Sequence, residues 1–380
     1  MKKQLRCWAE VDLDALRSNL AWLRHRVGPA VKFLTVVKAD AYGHGLKQIA
    51  TLLMQSGTDI FGVANLTEAH SIRSVGRGWP ILMLGACLPD EIERAVRDDV
   101  RPTLSNLDEA ACFSAVARQL GREVHAHVKI DTGMGRLGAR PDDAVELVRR
   151  IGQFPGVRVE GIYTHYAAAE DESKFSARQA KSFQRVLAGL KAAGISIPLV
   201  HANNSAALLH QPDTTFNVVR PGLLVYGIIP AGRRRLGAGT AKQIRPALSF
   251  KCRVSLVKSV PAKTSISYGR SFVTPRRMRI ATITAGYGDG YLRAGSGRAQ
   301  VIINGRRCRV LGRITMDQML ADVTRAGNVA SGDEVVLIGE QGGECIGAAE
   351  VAEWSHTIPW EVLTAITYRV PRVYRGGHAA

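Results

Sequence analysis

The chain has 380 residues, of which 46% are hydrophobic and 22% are charged. This is the composition of a globular protein with room for two domains, and it excludes a fibrous or disordered chain. The net charge is +18, but the basic residues are scattered, and their longest compact run is Arg233–Arg235 in a glycine-rich stretch. Without zinc-finger spacing or a basic helix, this charge does not predict a nucleic-acid-binding protein.

The cysteines and the N-terminus indicate a cellular compartment. None of the six cysteines forms a CxxC pair, so neither a zinc site nor a redox pair is predicted, and we expect reduced, buried thiols. The first ten residues turn acidic and amphipathic, and no apolar stretch of 18 residues occurs. We therefore expect a cytoplasmic protein without a secretory signal or a transmembrane helix.

Short apolar runs alternate with helix-like stretches from about residue 33 to residue 226, a pattern typical of parallel βα units. The predicted strands are Phe33–Val37, Ile60–Val63, Ile81–Leu84, Arg101–Leu104, Val124–Ile130, Val157–Tyr163, Leu199–Ala202 and Phe216–Val219. The predicted helices include Leu46–Gln55, Asp108–Leu120, Asp142–Ile151 and Phe175–Ala193. Eight strands favour a closed (β/α)8 barrel of the TIM type, and an open doubly wound sheet is the alternative.

The pattern changes after about Gly239, where strands predominate. They are predicted over Ala247–Val260, Met278–Thr284, Gln300–Val310, Gln318–Val323 and Glu334–Ile338, with helical spacing only in Ala348–Glu353 and Trp360–Tyr368. Asn304-Gly305 between two apolar runs is typical of a β-hairpin. We predict a barrel over residues 1–240 and a mostly β domain over residues 241–380, joined within Ala231–Gln243. Trp8–Leu20 could pack with either domain.

Polar residues follow several barrel strands, where the chemistry of such barrels is found. Lys38 closes the first strand, and burial there would lower the pKa of its amine and make it nucleophilic, although a lysine at a strand end can also reach water. Arg136 lies in a run with three glycines and offers a planar fork for a carboxylate or phosphate. Ser205 is a candidate helix cap or phosphate ligand. His165 at a strand end could equally be a hydrogen-bonded core residue.

These residues belong to a longer series of motifs that spans nearly the whole chain. The motifs are Val37–Gly45, Asp131–Gly138, Tyr163–His165, Arg220–Gly222, Ser267–Arg270, Gly286–Gly290, Met316–Gln318 and Tyr368–Arg372. In type and in order, this series resembles bacterial alanine racemases, a fold-type III pyridoxal-phosphate family. Small departures are Asn203, Gly288 and Thr315, where Ala, Ala and Cys are usual, and they leave fine specificity open.

The resemblance implies a role for each site residue. Lys38 would bind pyridoxal 5'-phosphate covalently and act as one base, and Tyr268 from the partner subunit of a homodimer would be the other. The residues that would hold the cofactor are Tyr42, His165, Asn204, Ser205, Arg220, Gly222, Leu223 and Tyr368. Arg136, Met316 and Tyr287 would contact the substrate or its entrance. Lys129, which is carbamylated in some relatives, and Asp317 would support them, and no metal is expected.

Arg220 is the most informative of these residues. The resemblance puts it at the cofactor's pyridine nitrogen, where many enzymes that use this cofactor have a carboxylate. Arginine donates hydrogen bonds and accepts none, so it would leave that nitrogen unprotonated and weaken the electron sink. We therefore expect Arg220 to suppress transamination. From its position alone, a structural ion pair is an equal alternative.

Racemisation of alanine is thus the expected activity, supplying D-alanine for peptidoglycan or serving L-alanine catabolism. A broader racemase for serine or basic amino acids is an alternative, although Asp40 stands where broad members tend to carry Asn. A fold-type III decarboxylase is a second alternative, which Arg220 disfavours. A third is a non-catalytic cofactor-binding protein, which resembles the barrel half only. No membrane or nucleic-acid partner is expected.

Overall fold

A computed structural model describes residues 5–171, 173–210, 216–230 and 243–377. The strands are β1 (Cys7–Asp12), β2 (Lys32–Val36), β3 (Ile60–Val63), β4 (Ile81–Met83), β5 (Val100–Arg101), β6 (Thr103–Leu104), β7 (Val124–Lys129), β8 (Val157–Tyr163), β9 (Leu199–Asn204), β10 (Val218–Arg220), β11 (Leu248–Val260), β12 (Ser265–Ile266), β13 (Phe272–Val273), β14 (Met278–Ile283), β15 (Gln300–Ile303), β16 (Arg306–Leu311), β17 (Met319–Asp322), β18 (Glu334–Gln341), β19 (Glu344–Ile346) and β20 (Arg372–Arg375).

The right-handed α-helices of the described residues are α1 (Leu13–Val27), α2 (Leu46–Gln55), α3 (Leu66–Arg73), α4 (Ile92–Arg97), α5 (Leu107–Leu120), α6 (Ala144–Ile151), α7 (Ser173–Ala192), α8 (Ser205–His210), α9 (Ala348–Trp354) and α10 (Pro359–Thr364). Two compact units emerge. The barrel unit comprises Leu16–Ala41 and Gly45–Arg245, and the β unit comprises Met1–Ala15, Tyr42–His44 and Pro246–Ala380. No described helix is both long enough and apolar enough to cross a lipid bilayer.

The barrel unit is a parallel sheet in the order β5-β4-β3-β2-β10-β9-β8-β7-β6. Its two ends, β5 and β6, are separated in sequence only by Pro102, so they are halves of one strand and the sheet closes on itself. Proline has no N–H for a ladder, which explains the break, while the Pro102 carbonyl accepts from His127 N at 3.0 Å. The predicted eight-stranded barrel is therefore confirmed.

Local sequence signals account for several barrel helices. Asn106 caps α5 by accepting a hydrogen bond from the Glu109 N–H at 2.9 Å, and α5 ends at Gly121 in the left-handed conformation. Asn65 caps α3 in the same way, with Glu68 N at 3.0 Å. Neither α3 nor α4, which are short, was predicted from the sequence.

The β unit contains a sheet in the order β19-β18-β15-β16-β17-β14-β11-β1-β20, with a further pairing between β18 and β11. That pairing closes six of its strands, from β11 round to β18, into a ring. Asn304 and Gly305 have positive φ angles of 51° and 69°, as a two-residue hairpin turn requires, and join β15 to β16. The mostly β second domain is confirmed.

Two expectations need correction. The predicted barrel included the N-terminus, but β1 pairs with β11 and β20, so Met1–Ala15 groups with the β unit, as does Tyr42–His44. The predicted linker Ala231–Gln243 lies, except for Gln243, outside the described residues. All six cysteines are free, but Cys112 and Cys345 are exposed and Cys87 is half-buried, so the expectation of buried thiols holds only for Cys7, Cys252 and Cys308.

Candidate active site

Lys38 follows β2 at the carboxyl end of the barrel strands and is half-buried. Burial lowers the pKa of its amine, the nearby charge of Arg136 lowers it further, and the carboxylate of Glu68 opposes both. Glu68 also fixes the local backbone, because its two carboxylate oxygens accept hydrogen bonds from Ala39 N and Ala64 N, each at 2.7 Å. Lys38 therefore has the lowered proton affinity that a nucleophilic amine needs.

The chain after Lys38 forms a left-handed helical turn that the sequence analysis did not predict. Ala39, Asp40, Ala41 and Tyr42 all have φ angles between 52° and 55°. Such a conformation costs an L-residue about 1–2 kcal/mol, so four in succession must be held by other contacts. Ala41 N donates to the Val37 carbonyl at 2.9 Å, and Asp40 Oδ1 accepts from the first N–H of α2 at 2.7 Å.

The loop that carries Arg136 is organised by Asp131. Its carboxylate accepts hydrogen bonds from the three consecutive N–H groups of residues 133–135, at 2.8–3.1 Å. These bonds outweigh the opposing effect of burial and lower the pKa of Asp131. Lys129, at the end of β7, is 2% exposed. Burial, followed by the charges of Arg136 and Arg220, lowers the pKa of Lys129 to about 8.

Arg220 ends β10, and its guanidinium is buried among neutral groups. It donates to the carbonyls of Thr164 and Ala202 at 2.7 and 2.8 Å, and to Nδ1 of His201 at 2.7 Å. Its Nη2 lies 3.3 Å from Nδ1 of His165. Burial lowers the pKa of Arg220 to about 10, which still leaves it a cation at neutral pH. These neutral partners do not favour the alternative of a structural ion pair.

Ser205 connects the segments that follow β9 and β10. Its Oγ accepts hydrogen bonds from Gly222 N at 2.9 Å and Leu224 N at 3.3 Å. The helix cap is its neighbour Asn204, whose Oδ1 accepts from Ala207 N at 3.0 Å, so the prediction of Ser205 as a cap is wrong. Leu223 is buried between the two N–H donors. The barrel unit thus brings a hydroxyl and two N–H groups together.

The β unit holds Tyr42 and the remaining predicted site residues. Gly288 N donates to the Met316 carbonyl at 2.8 Å, and Tyr287 N donates to the Thr315 carbonyl at 3.0 Å, so these two loops are joined. The Arg369 side chain donates to Asp289 at 2.8 Å and to Asp317 at 2.9 Å. The exposed large apolar side chains of this unit include Tyr268, Tyr287, Met316 and Tyr368, and Tyr368 is fully exposed.

Comparison with known proteins matches both halves of the chain to one family. The model of the alanine racemase N-terminal domain matches residues 11–230, and that of the alanine racemase C-terminal domain matches residues 247–374. The chain belongs to the alanine racemase family. It is 42% identical to the alanine racemase of Symbiobacterium thermophilum over 370 residues, which cover 97% of each chain.

Solved alanine racemases have the same fold. That of Streptomyces lavendulae superposes with a TM-score of 0.93 at 35% identity, covering 100% of both chains. That of Bartonella henselae, whose crystal structure contains covalently bound pyridoxal phosphate, gives a TM-score of 0.87 at 28% identity, covering 98% of this chain and 100% of the other. The resemblance drawn from the sequence motifs is therefore confirmed.

Some polar residues of this alanine racemase family member were missed by the sequence analysis. His127 and His201 are fully buried inside the barrel, and Glu160 and Arg101 lie beside them. In the sequence, the local sign of this cluster was a charged residue, Glu160, within an otherwise largely apolar predicted strand. Gln179 of α7 was also missed, although its amide donates to Thr132 Oγ1 and to the His165 carbonyl, both at 3.1 Å.

Proposed function

We propose that this protein interconverts L-alanine and D-alanine with pyridoxal 5'-phosphate bound to Lys38. The observation that carries the proposal is a half-buried lysine of lowered pKa at the carboxyl end of β2, in a chain of the alanine racemase family. We further propose a cytoplasmic location and a supply of D-alanine for peptidoglycan or a role in L-alanine catabolism.

The residues present fit the cofactor. The Ser205 hydroxyl, whose oxygen accepts from the N–H groups of Gly222 and Leu224, keeps its own proton to donate to a phosphate, and Leu223 lies between those two N–H groups. Arg220 supplies a donor for a pyridine nitrogen, and His165 supplies a ring to stack on the cofactor. We assign Asn204, Tyr42 and Tyr368 to the phosphate end as well. When bound, pyridoxal phosphate accepts the electron pair left on Cα as the proton leaves.

Two bases are needed, because the proton leaves one face of Cα and returns to the other. The Lys38 amine is one base, and its lowered pKa brings it closer to neutral pH. We assign the other to the Tyr268 phenol of the partner subunit, since Tyr268 is 72% exposed on its own chain and so is free to enter a neighbouring site. His165 would support that phenol by a hydrogen bond.

The remaining assignments concern the substrate. The Met316 N–H would bind the alanine carboxylate from across the dimer interface, and Tyr287, joined to Met316 by the paired loops, would narrow the entrance. Arg136 would lie near the phenolic oxygen of the cofactor, steadied by Lys129 once the Lys129 amine is carbamylated and carries a negative charge. Asp317 would hold the Met316 loop through Arg369. With these assignments, each active site contains residues of both subunits of a homodimer.

The test is to incubate the purified protein and pyridoxal phosphate with L-alanine, and to measure D-alanine and CO2 together. We expect D-alanine without CO2, and an absorbance band of bound cofactor that Lys38→Ala abolishes. CO2 release would instead indicate the decarboxylase, and equal rates with serine or lysine would indicate a broader racemase. A colourless protein that leaves the handedness of alanine unchanged would overturn the proposal.

A further inference from the structure

A row of polar side chains crosses the interior of the barrel behind Arg220. Nη1 of Arg220 lies 2.7 Å from Nδ1 of His201, and Nε2 of His201 lies 2.8 Å from Nδ1 of His127. Nε2 of His127 faces Oε2 of Glu160 at 3.7 Å, an electrostatic contact rather than a hydrogen bond. Both imidazoles are fully buried, in a barrel interior usually filled by branched apolar side chains.

The protons of this row can take only one arrangement while both imidazoles are neutral. Arginine donates and never accepts, so Nδ1 of His201 must accept, and its proton is on Nε2. That proton is donated to Nδ1 of His127, whose own proton is therefore on Nε2 and faces Glu160. Burial lowers the pKa of both imidazoles, which keeps them neutral at physiological pH.

Glu160 is ionised and fixed in place. Arg101 Nε donates to Oε2 of Glu160 at 2.6 Å, and His125 Nδ1 lies 3.6 Å from Oε1. Burial by itself raises the pKa of Glu160, but His127 and Arg101 outweigh that effect and lower the pKa to about 2. The row therefore has a carboxylate at one end and a guanidinium at the other. Between them, the N–H bonds of both imidazoles point towards the Glu160 end.

We propose that Glu160 is a positioning residue for Arg220, acting through His127 and His201 to fix their tautomers and to weaken the donation of Arg220 to the cofactor. The negative charge of Glu160 attracts the proton on Nε2 of His127 and so raises the basicity of His127 Nδ1. That nitrogen then accepts more strongly from Nε2 of His201, which raises the basicity of His201 Nδ1 in turn. The more basic Nδ1 of His201 then accepts a stronger hydrogen bond from Arg220, and the guanidinium becomes a weaker donor to its other partners. The proposal rests on the assignment of Arg220 to the pyridine nitrogen.

Three variants separate this role from a structural one. Glu160→Gln removes the charge and keeps the shape. His127→Asn leaves an oxygen close to the position of Nδ1, so His201 keeps its acceptor but loses its connection to Glu160. The matched control is Glu123→Gln, which removes an exposed carboxylate from the same region, where Glu123 Oε2 lies 2.8 Å from Nε2 of His125, the ring nitrogen other than the one near Glu160.

The first measurement uses protein labelled with 15N-histidine and free of cofactor. We expect His127 and His201 to be neutral and protonated on Nε2, and the Nδ1 resonance of His201 to move downfield in Glu160→Gln and His127→Asn. The control should leave it unchanged. A proton on Nδ1 of His201, or doubly protonated rings, would overturn the proposal whether or not the variants fold, because the wild-type protein alone decides this point.

The second measurement uses holoenzyme with 15N-labelled pyridoxal phosphate. We expect its ring-nitrogen resonance to move upfield in both variants, as Arg220 donates more strongly, and to stay unchanged in the control. No response in either variant would overturn the inference while leaving the proposed function intact. Protein that takes up no cofactor would instead refute the proposed function, and the tautomers would still be measured.

Discussion

Nη2 of Arg220 lies 3.3 Å from Nδ1 of His165, and its two N–H groups also donate to the carbonyls of Thr164 and Ala202 at 2.7 and 2.8 Å. A guanidinium this close disfavours a proton on the nearer ring nitrogen, which favours a neutral His165 with its proton on Nε2. Burial lowers the pKa of His165 well below its usual value, and the charge of Arg220 adds to that effect. A permanent cation thus determines the protonation state of its neighbours, and this bears on catalysis and on stability.

We expect Arg220→Glu to increase transamination relative to racemisation by at least about tenfold, which corresponds to about 1.4 kcal/mol. A carboxylate would favour protonation of the pyridine nitrogen and so strengthen the electron sink. Pyruvate formation from alanine measures the partition, and a new visible absorption band should accompany it. Arg220→Lys, which keeps the charge, is the control. An unchanged partition and spectrum would contradict the role of Arg220.

We expect Tyr268→Phe to abolish exchange of the Cα proton with deuterated water on one face of alanine, lowering racemisation by about a hundredfold or more. The cofactor absorbance at Lys38 should be unchanged, since Tyr268 is largely exposed on its own chain. Equal loss of cofactor binding would mean that Tyr268 is structural.

The same variant tests whether the site is shared between subunits. Mixing Lys38→Ala with Tyr268→Phe subunits should restore roughly a quarter of the wild-type activity, because half of the dimers are mixed and each has one intact site. Each variant alone is the control. If mixing restores nothing although mixed dimers form, Lys38 and Tyr268 of one site come from the same chain.

We expect Lys129 to form a carbamate. With its pKa near 8, roughly half of its amine is unprotonated at pH 8, whereas an ordinary lysine is almost wholly a cation. The neutral amine attacks CO2 and loses a proton, and the resulting anion would pair with the Arg136 guanidinium. The measurement is a 13C NMR spectrum of the protein in 13C-bicarbonate. The carbamate resonance should disappear in Lys129→Ala and persist in the control Lys174→Ala. Its absence at high bicarbonate would contradict the expectation.

We expect the free energy of unfolding to fall as the pH decreases below about 6.5. Burial lowers the folded-state pKa of His127, His165 and His201, so the unfolded chain binds protons that the folded protein excludes. Each adds a slope of up to about 1.4 kcal/mol per pH unit. Urea unfolding at several pH values between 5 and 8 measures how the free energy of unfolding depends on pH. His127→Asn should flatten the slope, while the exposed control His25→Asn should not.

We expect Gly138→Ala to destabilise the Arg136 loop more than Gly135→Ala. Both glycines have positive φ angles, of 113° and 70°, so both substitutions introduce backbone strain. A Cβ at Gly138 would also lie 2.8 Å from Asp131 N and 2.9 Å from the Lys129 carbonyl, whereas none of the described atoms lies within 4 Å at Gly135. The difference in unfolding free energy should be about 1–3 kcal/mol. Equal losses would contradict this.

The sequence determined the barrel, because eight apolar runs separated by helical spacing have few other ways to bury both faces of each strand. It also determined the β domain and the hairpin at Asn304-Gly305, where the turn residues impose the backbone conformation. Lys38 was a candidate because a charged residue at the end of an apolar strand is unusual, whereas the role expected of Arg220 came from the resemblance of the motifs to alanine racemases.

Which distant residues share an environment became clear only from the folded chain. The assignment of β1 to the β unit depends on pairing with strands about 240 and 360 residues further along the chain, which no local pattern encodes. The row from Glu160 to Arg220 depends on residues of β7, β8, β9 and β10, which are successive strands of the barrel sheet but carry residues far apart in the sequence. Local residue types fix the helices and turns, but the pKa values and the tautomers depend on burial and on charges that only the folded barrel brings together.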